Sequence, residues 1–190
     1  MKRLTIATCL FAAPFASAAI TVNSYSHSPN PSSSYPDSGN QELIDGVADV
    51  VTWGEGVPIG SSQVGPFVGW LNTNASTTFT FDSVQTVRQV TVWAADSDSA
   101  AGVNFPSTIT LTDPNSSFTQ TFGIPNPAGS EMRPIVMEGF AVTTNQLQVA
   151  FTRGGQWTML TEVTFDTIPE PGAPALLSLA IISLIRRRQR

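Results

Sequence analysis

The sequence predicts an all-β fold, an antiparallel two-sheet sandwich of jelly-roll type, and three observations carry that expectation. Short segments rich in Thr, Val and Phe alternate apolar and polar residues with period two. Clusters of Gly, Pro, Asn, Asp and Ser separate them as turns do. Between residues 19 and 167 no apolar spacing of helical period persists for three turns. Strands with one apolar face bury it only against a second layer, hence the sandwich.

Ahead of the strands, Met1 to Ala18 has the three parts of a secretory signal. Lys2 and Arg3 form the basic end, Leu4 to Phe15 the apolar segment, and Ala16-Ser17-Ala18 the small-x-small site where signal peptidase is expected to cut. The apolar part is too short to span a bilayer. Cys9, the single cysteine, lies inside that apolar segment after Thr8, so it is no lipid attachment site and would leave with the leader. Residues 19–167 therefore hold together by their core, without a disulfide, with a metal as the available extra tie.

Ile20 to Tyr25 is the first expected strand, and a polar loop from Ser28 to Asn40 follows, ordered by its prolines but non-regular. Thr77 to Asp82 sets Phe79 and Phe81 on one face, and Val87 to Ala94 sets Val90 and Val92 opposite Thr91 and Trp93. Thr108 to Thr112 places Ile109 and Leu111 against threonines. Asp113-Pro114-Asn115 turns the chain into Phe118 to Phe122, whose phenylalanines share a face. Ile135 to Phe140, Gln146 to Thr152 and Trp157 to Phe165 complete the set. Leu147, Val149 and Phe151 share one face, Met159, Val163 and Phe165 another, and Gly154-Gly155 reads as a hairpin turn between the last two strands.

Charge is distributed unevenly. Of nine Lys and Arg, only Arg88, Arg133 and Arg153 fall within residues 19–167, against thirteen of the fourteen acids, a formal charge of −10. So acidic a surface argues against nucleic acid or anionic lipid as a partner and favours cations or neutral glycans.

The tail has its own logic. Ile168-Pro169-Glu170-Pro171 opens it, an apolar run from Ala173 to Ile185 follows, and Arg186, Arg187, Arg188 and Arg190 close it. As a helix that run reaches about 20 Å, short of the roughly 30 Å hydrocarbon core. Snorkelling arginines, which mark a cytoplasmic end, compensate in part. This order resembles the PEP-CTERM sorting signal. The resemblance covers residues 168–190 and implies an exported protein of a Gram-negative bacterium, held in the inner membrane by a short C-terminal anchor helix. Recognition by an exosortase then passes it to the cell surface or extracellular matrix.

Three further stretches bring a second resemblance. Tyr35-Pro36-Asp37 leads to Glu42-Leu43-Ile44-Asp45-Gly46, Val68-Gly69-Trp70 leads to Phe79-Thr80-Phe81-Asp82, and Trp157 to Val163 closes the domain. In this order they are similar to the discoidin, or galactose-binding-like, jelly roll, over roughly residues 20–167. The resemblance implies glycan, lipid-head-group or protein binding through loops at one end of the sandwich. It also implies a structural calcium at Asp45 and Glu162, where backbone carbonyls near Leu43 and Val47 to Asp49 would complete an oxygen shell. The bare alternative is an Asp-Gly turn at Asp45, with Glu162 paired to Arg153 or solvent. Asp96 and Asp98 lack the glycine and glutamate of an EF-hand loop and read as a solvated turn.

Sugar rings stack on aromatic faces and their hydroxyls pair with planar donors such as Arg or Asn. Trp93 with Asn104 and Phe105 forms one candidate glycan group, Trp53 with Arg153 another, whereas Trp70 and Trp157 read as core. His27, the single histidine, reads as solvated. One histidine and no mature cysteine exclude a Cys-His pair and a His-rich zinc site, and neither a Gly-x-Ser-x-Gly elbow nor a phosphate loop occurs, so no enzyme is expected. Two functions remain: a binding module for extracellular glycan or exopolysaccharide, and a structural surface or biofilm-matrix protein without a specific small ligand.

Overall fold

The computed structural model describes residues 18–48, 67–98 and 100–167. Ala16 of the expected cleavage site, Asp49, Trp53, and the sorting-signal residues Pro169, Glu170, Pro171, Arg186, Arg187 and Arg188 lie outside the described residues. Ala19–Thr167 forms one compact unit. In chain order its strands are β1 (Ala18–Ala19), β2 (Val22–Ser28), β3 (Val68–Leu71), β4 (Ala75–Val87), β5 (Gln89–Ser97), β6 (Thr108–Thr112), β7 (Thr119–Gly123), β8 (Ser130–Met137), β9 (Val142–Thr152) and β10 (Trp157–Thr167). One sheet runs β1-β10-β5-β8 with β3 also on β10, and the other runs β2-β4-β9-β6-β7. The pairs whose register is resolved are antiparallel. The jelly-roll sandwich expected from the alternation is the architecture observed.

The alternation fixes which faces meet. Phe79, Leu147, Val149, Phe151, Ile109 and Leu111 from one sheet pack against Val90, Val92, Leu160, Val163 and Phe165 from the other, all essentially buried. Phe165 meets the edges of Phe79 and Phe81 at 4.8 and 5.1 Å between ring centroids. Each such side chain contributes about 1.5–3 kcal/mol by leaving water. The opposite face of the second sheet carries the polar residues. Ser26, Thr78, Gln148, Thr112 and Thr119 form one cross-strand row, and Thr110 and Thr121 hydroxyls pair at 2.9 Å. Phe118 and Phe122 both reach Phe140, as their spacing predicts.

Two expectations fail for identifiable reasons. Gly154-Gly155 is not a hairpin turn, because β9 and β10 belong to different sheets and the glycines lie in the crossover between them. Glycine is needed there for close approach: a Cβ on Gly154 would sit 2.1 Å from the Phe105 carbonyl oxygen, and one on Gly155 2.5 Å from that of Gly102. Met159 does not share the inner face with Val163 and Phe165. A register shift between Leu160 and Glu162 on β10 adds a residue, so Leu160 joins the main core. Met159 instead packs with Phe67, Ala95 and Val103 in a second cluster.

Candidate functional site

The Ser28–Asn40 segment is ordered as its prolines predict, tied to β3 by Ser32 N–H to Gly69 O and Gly69 N–H to Tyr35 O, at 2.8 and 3.0 Å. It delivers Asp37 to the inner side of β2. Asp37 Oδ2 accepts from Tyr25 Oη at 2.5 Å and from His27 Nε2 at 2.8 Å, while its Oδ1 accepts from the Gln41 and Glu42 N–H groups. His27 is therefore not solvated. It lies on β2 with its side chain 2 % exposed, its Nδ1 2.9 Å from Thr77 Oγ1 and its ring edge-on to Trp70. The period-two pattern of β2 turns it inward beside Tyr25. Burial alone would raise the Asp37 carboxyl, but the hydrogen bonds from His27, Tyr25 and Glu42 N–H together with the His27 charge outweigh it and hold the group below its ordinary range. Tyr25 is raised by burial first and by Asp37 second.

Six residues on, the chain reaches β10. Leu43 O accepts from Val163 N–H at 2.8 Å, and Gly46, at φ 81°, makes the turn that brings Asp45 to Glu162. Glu162 is 3 % exposed and receives one backbone donor, Gly46 N–H at 3.3 Å, while Asp45 Oδ1 accepts from Val47 N–H at 2.8 Å. Burial, then the neighbouring Asp45 charge, pushes the Glu162 carboxyl up to about 8. The two residues paired by the resemblance thus do meet, and Arg153 is not Glu162's partner. Two carboxylates this close suit a hard cation or a shared proton. Among the described residues, no group of three or more His, Cys, Asp or Glu side chains could hold a metal ion, so any cation here would draw on carbonyls or water for its remaining oxygens.

At one end of the sandwich the β5–β6 connection and the β9–β10 crossover enclose an open polar depression lined by Gly102, Asn104, Arg153, Gly154, Gly155 and Gln156. Arg153 is positioned from below: its Nη1 donates to Asn72 Oδ1 and its N–H to Asn74 Oδ1, each at 3.1 Å. Asn104 Oδ1 is buried and has no donor. Asn104 and Arg153, assigned by sequence to separate groups, therefore share one site. Phe105 does not belong to it. Its side chain is 1 % exposed in the main core with the Arg133 guanidinium 4.7 Å from its ring centroid. Trp93 is half-buried within β5, opposite Pro134 and Glu162, and is not part of the lining. Trp70 is core, whereas Trp157 is half-buried, edge-on to Tyr35 at 5.2 Å. Asp96 is not in a solvated turn but wholly buried at the end of β5. Gln156 and Asn72 escaped the sequence reading. The glycine pair beside Gln156 was the available signal, and nothing local marks Asn72.

No family description matches the chain, and no curated protein is similar to it in sequence. Solved structures are similar in shape. A family 32 carbohydrate-binding module from C. perfringens NanJ, in complex with galactose, superposes with a TM-score of 0.52 at 9% identity, over 80% of this chain and all of that one. This chain has the fold of that module. A mutant lectin-binding domain of lectinolysin, complexed with Lewis b, gives a TM-score of 0.55 at 14% identity, over 80% of this chain and 98% of that one. A pectin-binding carbohydrate-binding module gives 0.51 at 9%, over 80% and 94%. At these identities the likeness is one of fold, and residue roles rest on this chain's own geometry.

Proposed function

We propose that this protein is a non-catalytic module that holds an extracellular glycan in the depression between the β5–β6 connection and the β9–β10 crossover. The observation that carries the reading is the convergence there of Arg153, Asn104 and Gln156 over a glycine pair. Planar donors and acceptors line an open concavity, in a fold shared with modules solved with sugars bound. One of five Arg153 N–H donors is spent on Asn72, which orients the guanidinium and leaves others for hydroxyls. The acidic body favours a neutral glycan. Calcium between Asp45 and Glu162 would tie the Asp37–Gly46 segment to β10 as a structural ion. Export through the Met1–Ala18 leader, exosortase recognition of Pro169-Glu170-Pro171 and the arginine cluster, and a cell-surface or matrix destination complete the proposal.

A second reading has an observation of its own. None of the depression's lining residues is aromatic, so the ring stacking that strengthens sugar binding is missing among the described residues. That favours a structural surface or matrix protein. Calorimetric titration of the protein with producer-cell exopolysaccharide and a panel of neutral sugars separates the two. Saturable heat that Arg153→Ala abolishes supports the module; no heat for any glycan leaves the structural role.

A further inference from the structure

At the depression's end of the sandwich, three buried oxygens lack a donor: Asp96 Oδ2, Glu131 Oε1 and Asn104 Oδ1. Asp96 and Glu131 are direct cross-strand partners at the ends of β5 and β8. Strand alternation puts both on the inner side of the sheet, with Val92 and Ala94 on β5 and Ile135 on β8, but only Asp96 is enclosed there; the Glu131 side chain is 36% exposed, with its Oε1 covered. Asp96 is wholly buried, and its Oδ1 already accepts from Asp98 N–H at 2.9 Å, which leaves Oδ2 with nothing. The segment carrying Asn104 is fastened to the same strand end, since Ser97 N–H and Oγ–H both donate to Val103 O at 3.2 Å.

The nearby positive charge is insufficient. Arg133 Nε lies 3.4 Å from Glu131 Oε1 without hydrogen-bond alignment, its Nη2 donates to Pro125 O, and its guanidinium covers the Phe105 ring. Against Asp96, Asp98 and Glu131 this single arginine leaves the cluster short of cation. A buried carboxylate oxygen without a partner is costly unless a cation or a proton satisfies it.

We propose a divalent-cation site, of calcium type, formed by Asp96 and Glu131 with the Asn104 amide oxygen and water. It is distinct from Asp45 and Glu162. Hard oxygen donors, two carboxylates and an amide are the ligand chemistry of Ca²⁺, and the small carboxylate count places the site in the weak, extracellular class, with Kd on the order of 10⁻⁴–10⁻³ M. The ion would brace the wall of the depression that holds Asn104. The competing explanation is a proton on Asp96, a group that burial, with the Asp98 and Glu131 charges, already raises.

The test is calcium titration of the full chain, without any glycan, so that its result is independent of sugar binding. Glu162→Gln serves as the background, removing the other candidate ion. That protein is expected to keep one calcium, and adding Asp96→Asn or Glu131→Gln is expected to weaken its uptake at least tenfold. If Glu162→Gln takes up no calcium, or if a folded Asp96→Asn or Glu131→Gln variant binds as tightly as the background, the site does not exist and Asp96 is simply protonated. Should Asp96→Asn fail to fold, Glu131→Gln decides alone.

Discussion

Asp37 and Glu162 are two buried carboxylates far apart in sequence that meet opposite ends of the Asp37–Gly46 segment, and they are held in opposite ways. Asp37 accepts from Tyr25, His27 and two backbone N–H groups and is kept charged. Glu162 has one long backbone donor and a second carboxyl beside it, and is pushed towards neutrality. Burial is common to both, so burial does not distinguish a structural acid from a candidate site. The balance of donors does. A saturated carboxylate is a fastening; an under-supplied one has room for something else.

The strongest way to break this contrast is Asp37→Ala. It strands the Tyr25 hydroxyl and His27 and frees the loop that carries Asp45, so a loss of about 3–5 kcal/mol is expected in urea unfolding. A loss below about 1 kcal/mol would mean that the Asp37 hub fastens nothing.

Glu162 gives the next effect, of opposite sign. Its folded carboxyl lies at about 8 against an ordinary 4.5, so the native state keeps a proton that the unfolded chain releases. The associated stability is full below about pH 4.5 and is lost as pH climbs through about 8. In chelator, melting temperature is expected to fall over that window, and Glu162→Gln to flatten the profile and stabilise the protein at pH 8 by on the order of 2 kcal/mol. Calcium should remove the decline in the parent protein and do less in Glu162→Gln. A flat parent profile in chelator would contradict the under-supplied state of Glu162.

Smaller still is Gly154→Ala. The Phe105 carbonyl is backbone and cannot move aside as a flexible side chain would, so about 1–3 kcal/mol is expected to be lost in thermal or urea unfolding. Exposed Arg153→Ala should change stability by less than about 0.5 kcal/mol while weakening glycan uptake in calorimetry. If stability falls as far as in Gly154→Ala, Arg153 braces the crossover and does not serve a ligand.

Legibility in the sequence followed the range of the signal. Most strand positions, the Asp113-Pro114-Asn115 turn and the inward faces of β4, β6 and β9 were readable because period two is local. The four-residue β3 was not expected, and β8 runs Ser130–Met137 where Ile135 to Phe140 was expected, because Pro134 hides a strand that its edge position tolerates. The Asp45–Glu162 pair was readable only through resemblance. His27 misled because a lone histidine amid serines looks solvated, and its partners Asp37 and Thr77 are 10 and 50 residues away. Phe105 and Trp93 misled because a nearby loop says nothing about which way a ring turns.

What the sequence determined by itself is the alternation, and with it two apolar faces that must be buried on each other, plus an acidic surface with three arginines in residues 19–167. Only the tertiary structure decided which strands cross between sheets, where β10 takes an extra residue, and which acids end without donors. Those outcomes depend on contacts between residues far apart in the chain. Hydrogen-bond balance at a buried carboxylate is a property of the assembled neighbourhood, not of any local pattern.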